Sequence, residues 1–146
     1  MLAKGTEYAI RALVYIQLKN WEKKRPGGGE IAKEIEAPEA YSAKILQTLT
    51  RHKLLDSMKG RGGGFFFYEF QSKHTLYDVI HVMEGDACFQ KCGFGLKDCN
   101  NENPCPLHDQ YTNIRDGFYD IARTETIGSL AERILQGKAF LNRMGQ

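Results

Sequence analysis

The chain has 146 residues, 42% of them hydrophobic, and a net charge of +2, which fits one domain or one domain with an appendage. No run of about 18 apolar residues occurs, which excludes a membrane-spanning helix, and Met1-Leu2-Ala3-Lys4 leads straight into a helical pattern, so the expectation is a soluble, cytoplasmic protein without a secretory leader. Residues 1–73 hold 13 Lys and Arg against 8 Asp and Glu, whereas residues 74–146 hold 7 against 10; a basic front half is compatible with a polyanionic partner.

In chain order, residues 6–19 predict a helix, because Ala9, Ile10, Leu13, Val14 and Ile16 fall within one arc at helical spacing. Glu7 and Arg11, four apart on the other side, suit an exposed pair. The basic, glycine-rich stretch Lys23 to Gly29 ends the element and reads as a solvated turn unless the fold aims it at a phosphate. A short helix at 30–36 carries Ile31, Ala32 and Ile35, and Pro38 stops it. A second helix, about 40–53, turns Ile45, Leu46 and Leu49 inward. Its Tyr41, Lys44, Thr48 and Arg51 recur at helical spacing on the outer face. Two short helices around a tight turn, the second with a polar and basic face, match a helix-turn-helix, with an ordinary helical hairpin as the alternative. The next segment, Leu54 to Lys59, is partly β-like; Gly60-Arg61-Gly62-Gly63-Gly64 is a turn, and 65–70 has strand composition. A hairpin with a glycine-rich tip beside a helix-turn-helix is a wing. Arg61 at the tip suits a narrow minor groove, and Lys59 suits a phosphate.

Thr75 can cap a helix over 75–84 that buries Leu76, Val79, Ile80 and Met83 and ends at Gly85. All four cysteines follow, at Cys88, Cys92, Cys99 and Cys105, among loop formers such as Gly93, Gly95, Asn100, Asn103 and Pro104. From Pro106 a helix over about 106–123 places Leu107, Tyr111, Ile114, Phe118 and Ile121 at alternating steps of four and three, a heptad seam that predicts pairing with a second copy of the chain. Packing against the chain's own first helix is the alternative. Thr126 starts a last helix with Ile127, Leu130, Ala131, Ile134 and Leu135, ending near Gly137, and the tail to Gln146 is expected to be loose.

A flexible loop carrying several soft ligands can wrap a metal ion or an iron–sulfur cluster. Three readings stand: disulfides or free thiols, a structural zinc site, and an iron–sulfur cluster held by three or four of the groups. The four histidines, His52, His74, His81 and His108, lie in unrelated contexts, and no nucleophile–base–orienter arrangement suggests an enzyme.

The chain resembles the IscR/NsrR/CymR family of bacterial winged helix-turn-helix regulators. The resemblance runs over about 2–135 and is carried by Thr6 to Leu13, by Glu30-Ile31-Ala32 with Tyr41 to Leu49, by Leu54-Leu55 leading to Gly60 to Phe65, and by Cys105-Pro106-Leu107-His108. It implies a mainly α fold with a small β-hairpin wing and a long C-terminal dimerisation helix. The divisions would be 1–73 for DNA binding, 74–105 for a linking helix and cluster loop, and 106–146 for dimerisation. It implies a transcriptional regulator, homodimeric, bound to palindromic duplex DNA through Tyr41, Ser42, Lys44, Thr48, Arg51, Lys59 and Arg61, with no membrane and no small-molecule substrate. It further implies a 2Fe–2S or 4Fe–4S cluster, held by Cys92, Cys99 and Cys105, that senses redox state, nitric oxide or cluster status. The fourth ligand would be His108, Glu7 from the other subunit, or Cys88. Family members with a cluster usually space three cysteines x5 and x5; here the spacing is x6 and x5 and Cys88 is additional. Zinc is the alternative metal. An electron-transfer protein is a further alternative that would leave the wing and second helix without a purpose.

Overall fold

The computed structural model describes residues 2–68 and 71–142. Among them α1 (Lys4–Trp21), α2 (Gly28–Glu34) and α3 (Glu39–Arg51) precede the strands β1 (Asp56–Met58) and β2 (Gly64–Phe66). A 3-10 turn at Gln71–Lys73 leads to α4 (Leu76–Glu84), α5 (Ala87–Gln90), α6 (His108–Thr124) and α7 (Ile127–Leu135). The fold is mainly α with one small hairpin, as the periodicities predict.

Helix α1 is the hub. Ala9, Ala12, Leu13 and Ile16 are buried from it against Ile31 and Ile35 of the α2 segment, Ile45, Leu46 and Leu49 of α3, Val79 of α4, and Ile127 and Ala131 of α7. Each buried Leu or Ile contributes about 1.5–3 kcal/mol, so this shared core, rather than any short helix alone, holds the helix-turn-helix together. The turn between α2 and α3 passes through Glu36 at φ 57°, and the Ala37 N–H closes it on the Ala32 carbonyl at 3.0 Å.

Two threonine caps set the rear helices side by side. Thr75 Oγ1 accepts from the Asp78 N–H at 3.2 Å, and Thr126 Oγ1 accepts from the Ser129 N–H at 3.0 Å. Both are reciprocated capping boxes. The Leu76 N–H bonds to the Glu125 carbonyl and the Ile127 N–H to the His74 carbonyl, so the first turns of α4 and α7 are joined by backbone. Helix α6 lies against α4 and α5, whereas α1 is covered by α2, α3, α4 and α7.

Three expectations need correction. The hairpin pairs Asp56 with Phe66, Ser57 with Phe65 and Met58 with Gly64, and β2 stops at Phe66, short of the strand expected over 65–70. The Phe67 N–H turns away to Asn20 Oδ1 at 2.9 Å instead of continuing the ladder; Glu69 and Phe70 lie outside the described residues. The cysteine segment opens with a helical turn, α5, that its composition did not suggest. The tail is not loose as far as residue 142: Leu141 packs against the core, and Asn142 Nδ2 donates to the Glu34 carbonyl and to Glu34 Oε2, both at 3.2 Å. Residues 143–146 lie outside the described residues.

Candidate nucleic-acid interface and metal centre

Helix α3 exposes Lys44 and Arg51 and half-exposes Thr48, whose Oγ1 donates to the Lys44 carbonyl at 3.0 Å. Gln47, which the sequence reading did not single out, is exposed beside them. Tyr41 is 41% exposed, but its ring makes a T-shaped contact with that of Tyr8 of α1, with centroids 5.8 Å apart. Ser42 does not join this face. It is 1% exposed and its Oγ has no hydrogen-bond partner among the described residues. The reason is spacing: Ser42 precedes Ile45, Leu46 and Leu49 by three, four and seven residues and therefore shares their buried side.

The wing tip is a turn closed by the Gly63 N–H on the Gly60 carbonyl at 3.0 Å, and it leaves Lys59 and Arg61 exposed. The flank of the wing carries further cations. The Phe65 N–H donates to the Pro26 carbonyl at 2.9 Å, which lays the basic Lys23–Pro26 stretch along β2. Gly64 makes this approach possible: it sits at φ 133°, and a Cβ there would strike the carbonyls of Arg25 and Pro26. The Arg25 guanidinium stacks over the Phe66 ring at 4.1 Å from its centroid.

The cysteine loop follows α5. All four thiols are free. The structure brings the expected ligands together as two pairs rather than as one cage, and no group of three His, Cys, Asp or Glu side chains converges among the described residues. Cys92 is buried beside Cys105. Burial opposes its thiolate, but the N–H groups of Phe94, Leu96 and Gly95 and the Cys105 thiol donate to the sulfur and together hold its pKa below the ordinary thiol value. In the second pair, Cys99 Sγ lies 3.7 Å from His108 Nδ1. Arg115 of α6 reaches the same place: its guanidinium meets the Cys99 thiol, which raises the arginine's pKa further, and one terminal nitrogen donates to the Lys91 carbonyl at 3.4 Å. The Arg115 Nε is buried without a hydrogen-bond partner among the described residues and lies 3.7 Å from Asp116 Oδ1. Neither the bond from the Phe67 N–H to Asn20 nor the contact of Arg115 with the loop has a local sequence signal.

Cys88 differs. It stands on α5, where burial and the carboxylates of Glu84 and Asp86 push its thiol pKa up. Glu7 is exposed in the first turn of α1. No helix among the described residues is long and apolar enough to cross a membrane.

Comparison with known proteins identifies the fold and the family. The sequence profile of the Rrf2 family, described as iron-dependent transcriptional regulators, matches residues 2–133. Protein aau3 of Rhizobium meliloti is 32% identical over 132 residues, covering 90% of this chain and 84% of its own. The transcriptional repressor NsrR of Streptomyces coelicolor is 26% identical over 106 residues, covering 73% and 67%. Among solved structures, CymR of B. subtilis superposes with a TM-score of 0.71 at 18% identity, covering 90% of this chain and 96% of that one. IscR of T. potens superposes at 0.70 with 14% identity, covering 96% and 92%. NsrR is named as a transcriptional repressor and CymR as a regulator, and the fold is the winged helix-turn-helix of the CymR and IscR structures. With a family match over nearly its whole length, this chain belongs to the Rrf2 family of DNA-binding transcriptional regulators.

Proposed function

We propose that the chain acts as a homodimer on palindromic duplex DNA, and that an iron–sulfur cluster held by its cysteine loop controls that binding. Residues 1–73 then form the DNA-binding unit, 74–105 the linking helix and cluster loop, and 106–146 the dimerisation segment. Lys44, Thr48 and Arg51 of α3, with Tyr41 at its edge, face the major groove, while Lys59 and Arg61 meet the backbone and the minor groove.

The observation that carries the metal reading is the environment of Cys92. A buried sulfur that accepts several backbone N–H groups and adjoins a second thiol is prepared to carry negative charge, as a metal-bound thiolate must. The family's description as iron-dependent points to iron rather than zinc. Cys92, Cys99 and Cys105 would hold the cluster. His108 is the favoured fourth ligand, because it already lies beside Cys99. Cys88, between two carboxylates, is disfavoured, and Glu7 would have to come from the partner subunit. A cluster held there supplies a centre that responds to redox state and nitric oxide.

The chain's own residues supply the coupling. Cys105 lies three residues before the start of α6, and Arg115 on α6 touches the loop at Lys91 and Cys99. Fixing the loop therefore fixes the first turns of the dimerisation helix, and through it the separation of the two α3 helices, which must be roughly 34 Å to meet successive major grooves. The test is anaerobic purification. Brown protein with iron and sulfide, whose colour and operator affinity both change in Cys99→Ala, supports the reading. Colourless protein with stoichiometric zinc overturns it in favour of a structural clamp.

A further inference from the structure

We propose that the Lys23–Arg25 stretch is a separate phosphate-binding element that holds the DNA backbone beyond the segment read by α3 and the wing tip. The inference uses duplex binding by this family and is independent of the metal site.

Asn20 builds the element. Its Nδ2 donates to the Lys24 carbonyl at 2.9 Å and to the Phe65 carbonyl at 3.3 Å, and its Oδ1 accepts the Phe67 N–H at 2.9 Å. The Lys23 N–H and Lys24 N–H bond back to the Asn20 and Lys19 carbonyls at 2.9 Å. Lys23 takes φ 62° to make the bend. The stretch is thereby fixed to the end of α1 on one side and to β2 on the other. On this fixed backbone Lys23, Lys24 and Arg25 are all exposed. They border, with Asn20, Phe66 and Phe67, an open hollow of about 300 Å³.

The charges are available. Glu22, the adjacent acid, is engaged by Lys19 at 3.3 Å, and no acid among the described residues pairs with Lys23, Lys24 or Arg25. Arg25 is steered across β2: its guanidinium lies over Phe66 and one nitrogen reaches Met58 Sδ on β1 at 3.5 Å. The loop thus runs along the hairpin: Arg25 lies at Gly64 and Met58, next to the tip cations Lys59 and Arg61, and Lys23 and Lys24 border Phe66 and Phe67 towards its base. When the tip enters a groove, the base of the hairpin faces the neighbouring sugar–phosphate chain. Cations held on an ordered backbone bind phosphates there with less ordering cost than those on a mobile turn.

The test uses a duplex carrying the palindrome that the wild-type protein selects from a random pool, in one form with extended flanks and in another with trimmed flanks. Binding of wild type and the double variant Lys23→Gln/Lys24→Gln is measured against salt. Each lost phosphate contact lowers the slope of log affinity against log salt by about 0.9, so the variant should lose close to two per bound subunit on the extended duplex. Trimming should weaken wild type and leave the variant unaffected, and Lys23→Arg/Lys24→Arg should restore the wild-type slope. An unchanged slope, or an equal loss on trimming for both proteins, overturns the proposal. Lys44→Ala, measured in parallel, reports separately on recognition by α3.

Discussion

A Cβ on Gly93 would overlap the ring of Tyr111. The residue that follows Cys92 is thus seated flat on the side of α6, and the approach is possible only without a side chain. Gly93→Ala must displace either the ring or the loop. Overpacking of this kind costs about 1–3 kcal/mol, which thermal unfolding followed by circular dichroism would register as a lower Tm. Metal content of the anaerobic protein should fall as well, since Cys92 moves with the loop. Tyr111→Ala in the Gly93→Ala background should recover part of the loss, so that the two substitutions are less than additive. Full additivity would show that the loop does not rest on that ring.

Ser42 offers a sharper contrast between fold and recognition. Its hydroxyl is buried and unpartnered among the described residues, and an unsatisfied buried polar group is a cost rather than a contact. Ser42→Ala should leave operator affinity unchanged and be neutral or stabilising by up to about 1 kcal/mol. Lys44→Ala, on the opposite face, should weaken binding without changing Tm. Anisotropy titrations beside melting curves separate the two effects. A Ser42→Ala variant that folds normally but loses affinity would place the hydroxyl at the DNA after all.

These residues also show what the sequence could disclose. The helices are legible because Leu13 and Ile16, or Ile45, Leu46 and Leu49, repeat at the helical period, and the wing because the glycine-rich turn 60–64 leads into residues of strand composition. Ser42 was placed on the DNA face by the family likeness, although its spacing from Ile45 and Leu49 already assigned it to the core. Phe67 reads as strand by composition, yet its N–H goes to Asn20, a residue 47 positions earlier with no local signature. Asn142 reaches Glu34 across 108 residues. Arg115 is one position from the apolar seam and reads as a surface charge until the loop folds over it. Contacts made by single polar side chains across such distances carry no periodicity, so only tertiary structure reveals them.

The Glu125 carboxylate joins the end of α6 to α7. Arg133 bonds to its Oε1 at 2.6 Å and the Ser129 hydroxyl to its Oε2 at 2.7 Å. Hydrogen bonds from Arg133 and then Ser129 hold its pKa below the ordinary glutamate value, against a smaller opposing effect of burial. A depressed folded-state pKa contributes stability that is complete above the unfolded value, about 4.3, and is lost as pH falls through the folded value. Wild type should therefore exceed Glu125→Gln in Tm at pH 7, by the equivalent of about 1 kcal/mol or less because the arginine is half exposed and screened. The gap should narrow below about pH 4.3 and close in stronger acid. A pH-independent gap would assign the effect to packing rather than charge.

The surface of α6 bears on assembly. Leu107, Ile114 and Ile121, spaced seven apart, are 45%, 60% and 55% exposed, while Tyr111 and Phe118 of the same seam are half-buried. The Phe118 ring stacks on Phe89 with centroids 5.5 Å apart, so one edge of the seam is used within the chain and the other is left exposed. Ile114→Asp places a charge in the middle of the free edge. Within one chain this is a surface change worth about 0.5 kcal/mol or less, so helicity should be retained. Between two chains it buries an unpaired carboxylate, and sedimentation should then show a monomer where wild type is a dimer. Operator affinity should fall further than for any single α3 substitution, because the monomer loses the gain of engaging both half-sites through one linked pair of recognition helices. An unchanged mass would move the dimer contact away from α6, and with it the route by which the cysteine loop is proposed to set the distance between the two α3 helices.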